Sequence, residues 1–186
     1  MRIISGKLKD RRLNTPRDNQ IRPTTDKVKE SIFNMLMPYI EDAVVIDLFS
    51  GTGNLGLEAI SRGAKHCYFG DKARESLLLT KGNIQYCEVE NQTTLISGEF
   101  ERVLERIHEK ADIIFLDPPY KAGLLENCLK KIEESEILSE DGVIVIEHGK
   151  REILEDKIGI FTKIKEKRYG TILVSLFIAA KNNIVY

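Results

Sequence analysis

Residues 44–56 read VVIDLFSGTGNLG. A β-branched apolar run ends in Asp47, and after Ser50 the chain sets Gly51, Gly53 and Gly56 in the spacing G-x-G-x-x-G, ahead of an amphipathic segment. This order predicts a strand, a tight turn and a helix. Glycines there let the backbone turn sharply and approach a ligand, and the helix start aims N–H groups at it. Asp71 ends the next apolar run, 20 residues beyond Gly51, where an acidic side chain can accept hydrogen bonds from both hydroxyls of a ribose.

Asp47 lies four residues before Gly51, so the loop is longer than a dinucleotide-binding turn and has a carboxylate at its mouth. A negative charge there repels a pyrophosphate and suits a cationic ligand such as S-adenosylmethionine, with its ammonium and sulfonium groups. No Gly-Lys-Ser/Thr follows the glycines, which excludes a phosphate-cradling P-loop.

On either side of this stretch, short β-branched runs alternate with longer amphipathic ones. NLGLEAISRG, HCYFGD, RESLLLTKGNIQYC, TTLIS, EFERVLERIHE, ADIIFLD, GLLENCLKKIEES and GVIVIE follow in turn. Strands apolar on both faces and separated by helix-length segments imply an open α/β fold with a mostly parallel sheet. IGIFTKIKEKRYGTILVSLFIAA holds two strand-like runs joined near Tyr169 and Gly170, which predicts an antiparallel hairpin at the sheet edge. Upstream, RIISGKLKDRRLN reads as a small basic hairpin. TTDKVKESIFNML reads as a helix with Thr24, Thr25 or Asp26 as N-cap and Val28, Ile32, Met35 and Leu36 on one face, ended by Met37-Pro38. We expect one domain over residues 1–186, made of a basic arm over 1–23, a helix over 24–38 and a catalytic core over 43–186.

Ligands of such sheets bind beyond the carboxyl ends of the strands. Asp47, Asp71 and Asp117 each close a strand-like run, so all three should face one cleft. Asp117 opens the tetrad Asp117-Pro118-Pro119-Tyr120. The prolines hold the backbone rigid and keep Asp117 extended, so that its carboxylate and the Pro118 carbonyl stand together as two acceptors. Two acceptors gripping the hydrogens of an exocyclic amine favour its more nucleophilic, pyramidal form and stabilise the charge that grows as it attacks a methyl group. Tyr120 offers a flat face for an unstacked base, worth roughly 1–3 kcal/mol. These residues do not separate guanine N2 from adenine N6.

Charge is unevenly spread. The chain carries 28 basic and 29 acidic residues, net -1, yet residues 1–29 hold nine Lys/Arg against three Asp. A basic arm on an acidic body is the asymmetry expected where one face meets phosphates. Arg2, Lys7, Arg11 and Arg12 are the candidates for phosphate contact. Cys67, Cys87 and Cys128 are widely spaced, so neither a disulfide framework nor a metal site is expected. MRIISGKLKD lacks the apolar run of a signal peptide, and ILVSLFIAA is too short to span a bilayer. The expectation is a soluble, cytoplasmic, monomeric protein that meets no membrane.

Together, DLFSGTGNLGLEAISRGA, DPPY and RPTTDKVKESIFN resemble the RsmD family of bacterial 16S ribosomal RNA guanine-N2 methyltransferases, over nearly the whole chain. The resemblance implies a seven-stranded Rossmann-like class I methyltransferase sheet and S-adenosylmethionine as methyl donor. It also implies a guanine of 16S rRNA as acceptor, within a partly assembled small subunit. Carried over, it sets Asp47, Ser50, Gly51, Gly53 and Gly56 around the methionine part of the cofactor, Asp71 on the ribose and Lys72 beside ribose and adenine. Glu99 and Phe100 would meet the adenine, and Arg22 and Thr24 would form a lid. Asp10 stands where the family usually has glycine. A DNA or RNA adenine-N6 methyltransferase is the alternative, since DPPY serves there too. A nicotinamide-dependent oxidoreductase and a non-catalytic RNA-binding module are further from the pattern.

Overall fold

A computed structural model describes residues 1–16, 25–119 and 123–180. Among the described residues, eight strands form one sheet in the order β3-β2-β1-β4-β5-β8-β7-β6. The strands are β1 (Val44–Asp47), β2 (His66–Asp71), β3 (Thr93–Ser97), β4 (Ala111–Leu116), β5 (Leu138–Gly149), β6 (Lys157–Ile158), β7 (Phe161–Tyr169) and β8 (Ile172–Ala179). The first five run parallel, and β8, β7 and β6 add antiparallel. The helices are α1 (Asp26–Leu36), α2 (Asn54–Ser61), α3 (Arg74–Cys87), α4 (Phe100–Glu105) and α5 (Leu124–Ser135).

The sheet thus has eight strands where seven are expected, and the extra one is β6. Gly159 takes φ +57°, a left-handed conformation that lets Ile158 turn back and pair with Phe161. Hairpin order follows burial. β8 is apolar and largely buried, so it takes the inner place against β5, whereas β7 carries Lys165, Glu166, Lys167 and Arg168 in the open. Such a charged strand is what a sheet tolerates near its rim.

Helices cover both faces. Val45, Ile113, Phe115, Val143 and Val145 pack with residues of α1, α2, α3 and the N-terminal arm. Ile46, Ile114, Leu116, Ile144 and Ile146 point the other way, toward α4 and α5, as strict alternation along a strand requires. The Thr25 side chain caps α1 by accepting from the Val28 N–H at 3.4 Å. Val28, Ile32, Met35 and Leu36 are buried as the periodicity predicts.

The basic arm is a hairpin reduced to one antiparallel bridge, Arg2 to Arg12, supported by Ile3 N–H to Arg11 O (3.0 Å) and Asp10 N–H to Ile3 O (2.9 Å). Asp10 holds φ 68°, so an aspartate occupies a left-handed position that glycine adopts with less strain. Ile3, Leu8 and Leu13 bury against the core.

What fastens the arm was not read from the sequence. Glu58 of α2 is fully buried. It accepts from the backbone N–H groups of Ile4 (2.8 Å) and Ser5 (3.1 Å), and pairs with Lys29 at 2.9 Å and Arg62 at 2.7 Å. Lys29, also fully buried, donates besides to the Arg2 carbonyl (2.5 Å) and to Asn54 Oδ1 (2.7 Å). All three ammonium donors and both carboxylate oxygens are therefore engaged, the condition under which buried ions are tolerated. Arg62 also lies over the Phe33 ring, 4.9 Å from its centroid.

Candidate active site

Strand order reverses between β1 and β4, and a crevice opens at such a switch beyond the carboxyl ends of the strands. Asp71, Asp47 and Asp117 stand there, closing β2 and β1 and following β4. The sheet therefore brings together the three acids that the sequence marks.

The loop over residues 48–53 is tied down from both sides. Ser50 N–H donates to Gly70 O (2.9 Å) and Gly53 N–H to Ser50 O (2.6 Å). The Thr80 hydroxyl donates to Gly51 O (3.0 Å). Gly51 and Gly53 take φ +55° and +77°, conformations that glycine adopts without strain. A Cβ on Gly51 would meet nothing within 4 Å, so the backbone there faces open space that a ligand can enter. Gly56 does something different. A Cβ on it would come within 2.3 Å of the Phe69 ring, so this glycine brings helix and strand together, and its N–H donates to Asp47 Oδ2 at 3.0 Å. It orients the acid from behind the loop.

Asp71 accepts from Gly51 N–H through one oxygen (3.0 Å) and from Ala73 N–H through the other (2.8 Å). It braces the glycine loop and is half-buried at the cleft. Asp47 is 2% exposed. Burial raises its pKa to about 7, with the Gly56 N–H opposing and the Asp71 charge adding to the rise. A buried carboxylate of this kind gains most from a cation placed beside it.

Asp117 keeps its surface open to solvent, yet it lies deep among protein atoms. Desolvation first, then the Glu147 and Asp47 carboxylates, hold its pKa well above the ordinary aspartate value. Pro118 is buried and Pro119 exposed. Tyr120, Arg22 and Thr24 lie outside the described residues.

Lys72 and Glu99 face each other across the lip at 3.3 Å, both largely exposed. The Phe100 side chain turns into the core, 7% exposed, with its ring 6.3 Å from that of Phe49. Of the arm residues, Arg2 is paired with Asp26 (3.1 Å) and Asp10 (3.6 Å). Arg11 donates to Tyr86 O (2.8 Å) and sits over the Tyr86 ring, and Arg12 is exposed. Lys7 lies beside Gln92, just before β3 (2.5 Å), and its own N–H donates to the carbonyl of Ser61, the last residue of α2. The arm's tip therefore reaches the edge opposite the cleft, about 12 Å along the eight-residue α2 from the glycine loop.

Glu147 is an acid that the sequence reading passed over. It ends the apolar run GVIVIE just as Asp47, Asp71 and Asp117 end theirs, and that rule could have found it.

The family model described as conserved hypothetical protein 95 matches residues 1–178. The Ribosomal RNA small subunit methyltransferase D of Haemophilus influenzae is 33% identical over 184 residues, covering 95% of this chain and 93% of that one. Its namesake in Escherichia coli K12 is 35% identical over 154 residues, 79% and 74% of the two chains. Among solved structures, the Escherichia coli yhhF protein superposes with a TM-score of 0.86 at 30% identity, covering 96% of this chain and 97% of that one.

Proposed function

Because this chain belongs to the RsmD family, that of conserved hypothetical protein 95, we propose that it transfers a methyl group from S-adenosylmethionine to the exocyclic N2 amine of a guanine in 16S ribosomal RNA. The observation that carries this reading is the row of Asp71, Asp47 and Asp117 at the ends of adjacent strands around the switch in strand order. One carboxylate suits a ribose, one a cationic amino-acid portion and one an amine donor.

Two features of the cleft support this donor. Asp47 is a buried acid whose ionised form is costly without a cation, and Gly51 leaves its backbone side open. Asp47, Ser50, Gly51 and Gly53 would hold the methionine portion, Asp71 the ribose, and Lys72, Glu99 and the start of α4 the adenine. When bound, the cofactor supplies an electrophilic methyl group on a sulfonium.

The chain's own residues then do the rest. The Asp117 carboxylate and the Pro118 carbonyl take the two amine hydrogens, directing the nitrogen lone pair along the line of attack. As nitrogen gains the methyl carbon, it must lose one proton, and Asp117 is the acceptor within reach; its raised pKa suits it to take that proton. Tyr120 would stack on the everted base, as enzymes acting on bases require. Exposed arm residues would contact RNA phosphates. A partly assembled small subunit is the substrate form we favour, and the enzyme would act as a cytoplasmic monomer.

The test is tritium transfer from labelled S-adenosylmethionine to small-subunit particles lacking their modifications, with nucleoside analysis and mapping of the product. N2-methylguanosine in 16S RNA is the expected result. Label in N6-methyladenosine moves the target to the alternative reading, and absence of transfer with intact cofactor binding refutes the assignment to ribosomal RNA.

A further inference from the structure

Asp117 follows directly on β4, and Glu147 lies two residues before the end of the adjacent strand β5. The register of the two strands pairs Phe115 with Val145 and Leu116 with Ile146, so Asp117 and Glu147 come next, side by side. Phe115 and Val145 point to the face covered by α1, α2 and α3, whereas Leu116 and Ile146 point to the other. Alternation returns Asp117 and Glu147 together to the first face, the face of Val45 and hence of Asp47. Parallel neighbours lie about 4.8 Å apart, within the span of one base edge. Glu147 is 7% exposed and near enough to help raise the pKa of Asp117.

Bases differ in what they can offer this pair. Beside its N2 amine, guanine carries a second donor, N1–H. Adenine and cytosine carry a ring lone pair beside theirs. A second carboxylate next to the amine-binding one therefore attracts guanine and opposes the others, because a negative oxygen facing a ring lone pair is repelled by it.

We propose that Glu147 is the specificity-determining residue of the site, accepting the N1–H of the target guanine while Asp117 accepts from N2. This rests on the methyl-transfer reading above. It answers the choice between guanine and adenine that Asp117-Pro118-Pro119-Tyr120 leaves open.

The experiment uses particles reconstituted on 16S RNA that carries guanine or 2-aminopurine at the mapped target. The analogue keeps the exocyclic amine and replaces N1–H with a lone pair. Wild-type enzyme should prefer guanine by about 100-fold or more in kcat/KM, since a site built to bond a donor rejects its absence strongly. In Glu147→Gln the amide can donate to that lone pair, so guanine turnover should drop at least about tenfold and the preference should narrow to within about tenfold. Glu147→Ala should lose guanine turnover without gaining turnover of the analogue. The Kd for S-adenosylmethionine should be unchanged in both variants.

Equal rates on guanine and 2-aminopurine by the wild type overturn the inference whether or not either variant folds. So does an unchanged preference in a folded Glu147→Gln, while N2-methylguanosine formation by the wild type leaves the methyl-transfer reading standing. Absence of N2-methylguanosine from any wild-type reaction removes that reading, and this inference with it.

Discussion

Replacing Asp47 with Asn removes the ionisable group behind the glycine loop and keeps its shape. In the folded chain, burial lifts the Asp47 pKa from the ordinary 3.8 to about 7. At about 1.4 kcal/mol per pH unit, the fold disfavours the ionised form by about 4 kcal/mol. An ammonium or sulfonium beside Asp47 offsets part of that cost, so cofactor binding should select the ionised fraction. Below about pH 7 the Kd for S-adenosylmethionine should then weaken about tenfold per pH unit, reaching about 100-fold near pH 5. The ligand's own amine stays protonated across this window, since α-amino groups titrate near about 8.

Calorimetric titration in two buffers of different ionisation enthalpy reads both Kd and proton release. The wild type should release close to one proton at about pH 6, and Asp47→Asn none, with a flat profile and weaker binding at about pH 8. Asp71 and Asp117 share this field, which is why the comparison with the Asn variant matters. The apo protein supplies a second sign. The folded chain keeps the Asp47 proton where the unfolded chain has lost it, so from about pH 3.8 to about pH 7 this group makes the fold less stable as pH rises, and Asp47→Asn should lack that component in Tm. A wild-type Kd that stays flat through this window, without proton release, refutes the pairing of Asp47 with a cation.

Asp117→Ala should bind S-adenosylmethionine normally and lose at least about 100-fold in kcat; loss of affinity with turnover preserved would contradict its role. Glu58→Ala strands the buried Lys29 and two backbone N–H groups and should cost about 3–5 kcal/mol in denaturant titration, so a change below about 1 kcal/mol would show that solvent reaches the cluster. Neutralising Arg12 should weaken RNA binding and lower the salt slope by about 1, with no effect on cofactor affinity. The same change at Lys7, on the far edge, should do less if the RNA enters from the cleft side.

Much of the sheet and its helices can be read from hydrophobic period and breakers. RESLLLTKGNIQYC coincides with α3 and TTLIS with β3, because helical and strand periods and the breakers between them are local matters. β6 escapes such reading, since two residues make no period and its turn depends on the backbone angle of Gly159. Asp47, Asp71 and Asp117 are recognisable because strand ends converge in a parallel sheet. Side-chain direction is harder. Spacing marks Gly56 and Phe100, but only packing shows that one faces Phe69 and the other lies in the core. Lys29 and Glu58 look like surface charges, and nothing local reveals that a partner across the fold makes each soluble in the interior.

The buried Glu58 cluster also constrains when the arm can take shape. The amides of Ile4 and Ser5 wait for a carboxylate more than fifty positions later in the chain, with β1 and the glycine loop between them. The arm precedes α2 along the chain and is therefore among the parts that need the most chain before they can dock. Until α2 exists, Lys29 is an ordinary solvated lysine and the arm has nothing to hold. Completion of the arm thus reports that the strand and loop forming the heart of the cleft are already in place.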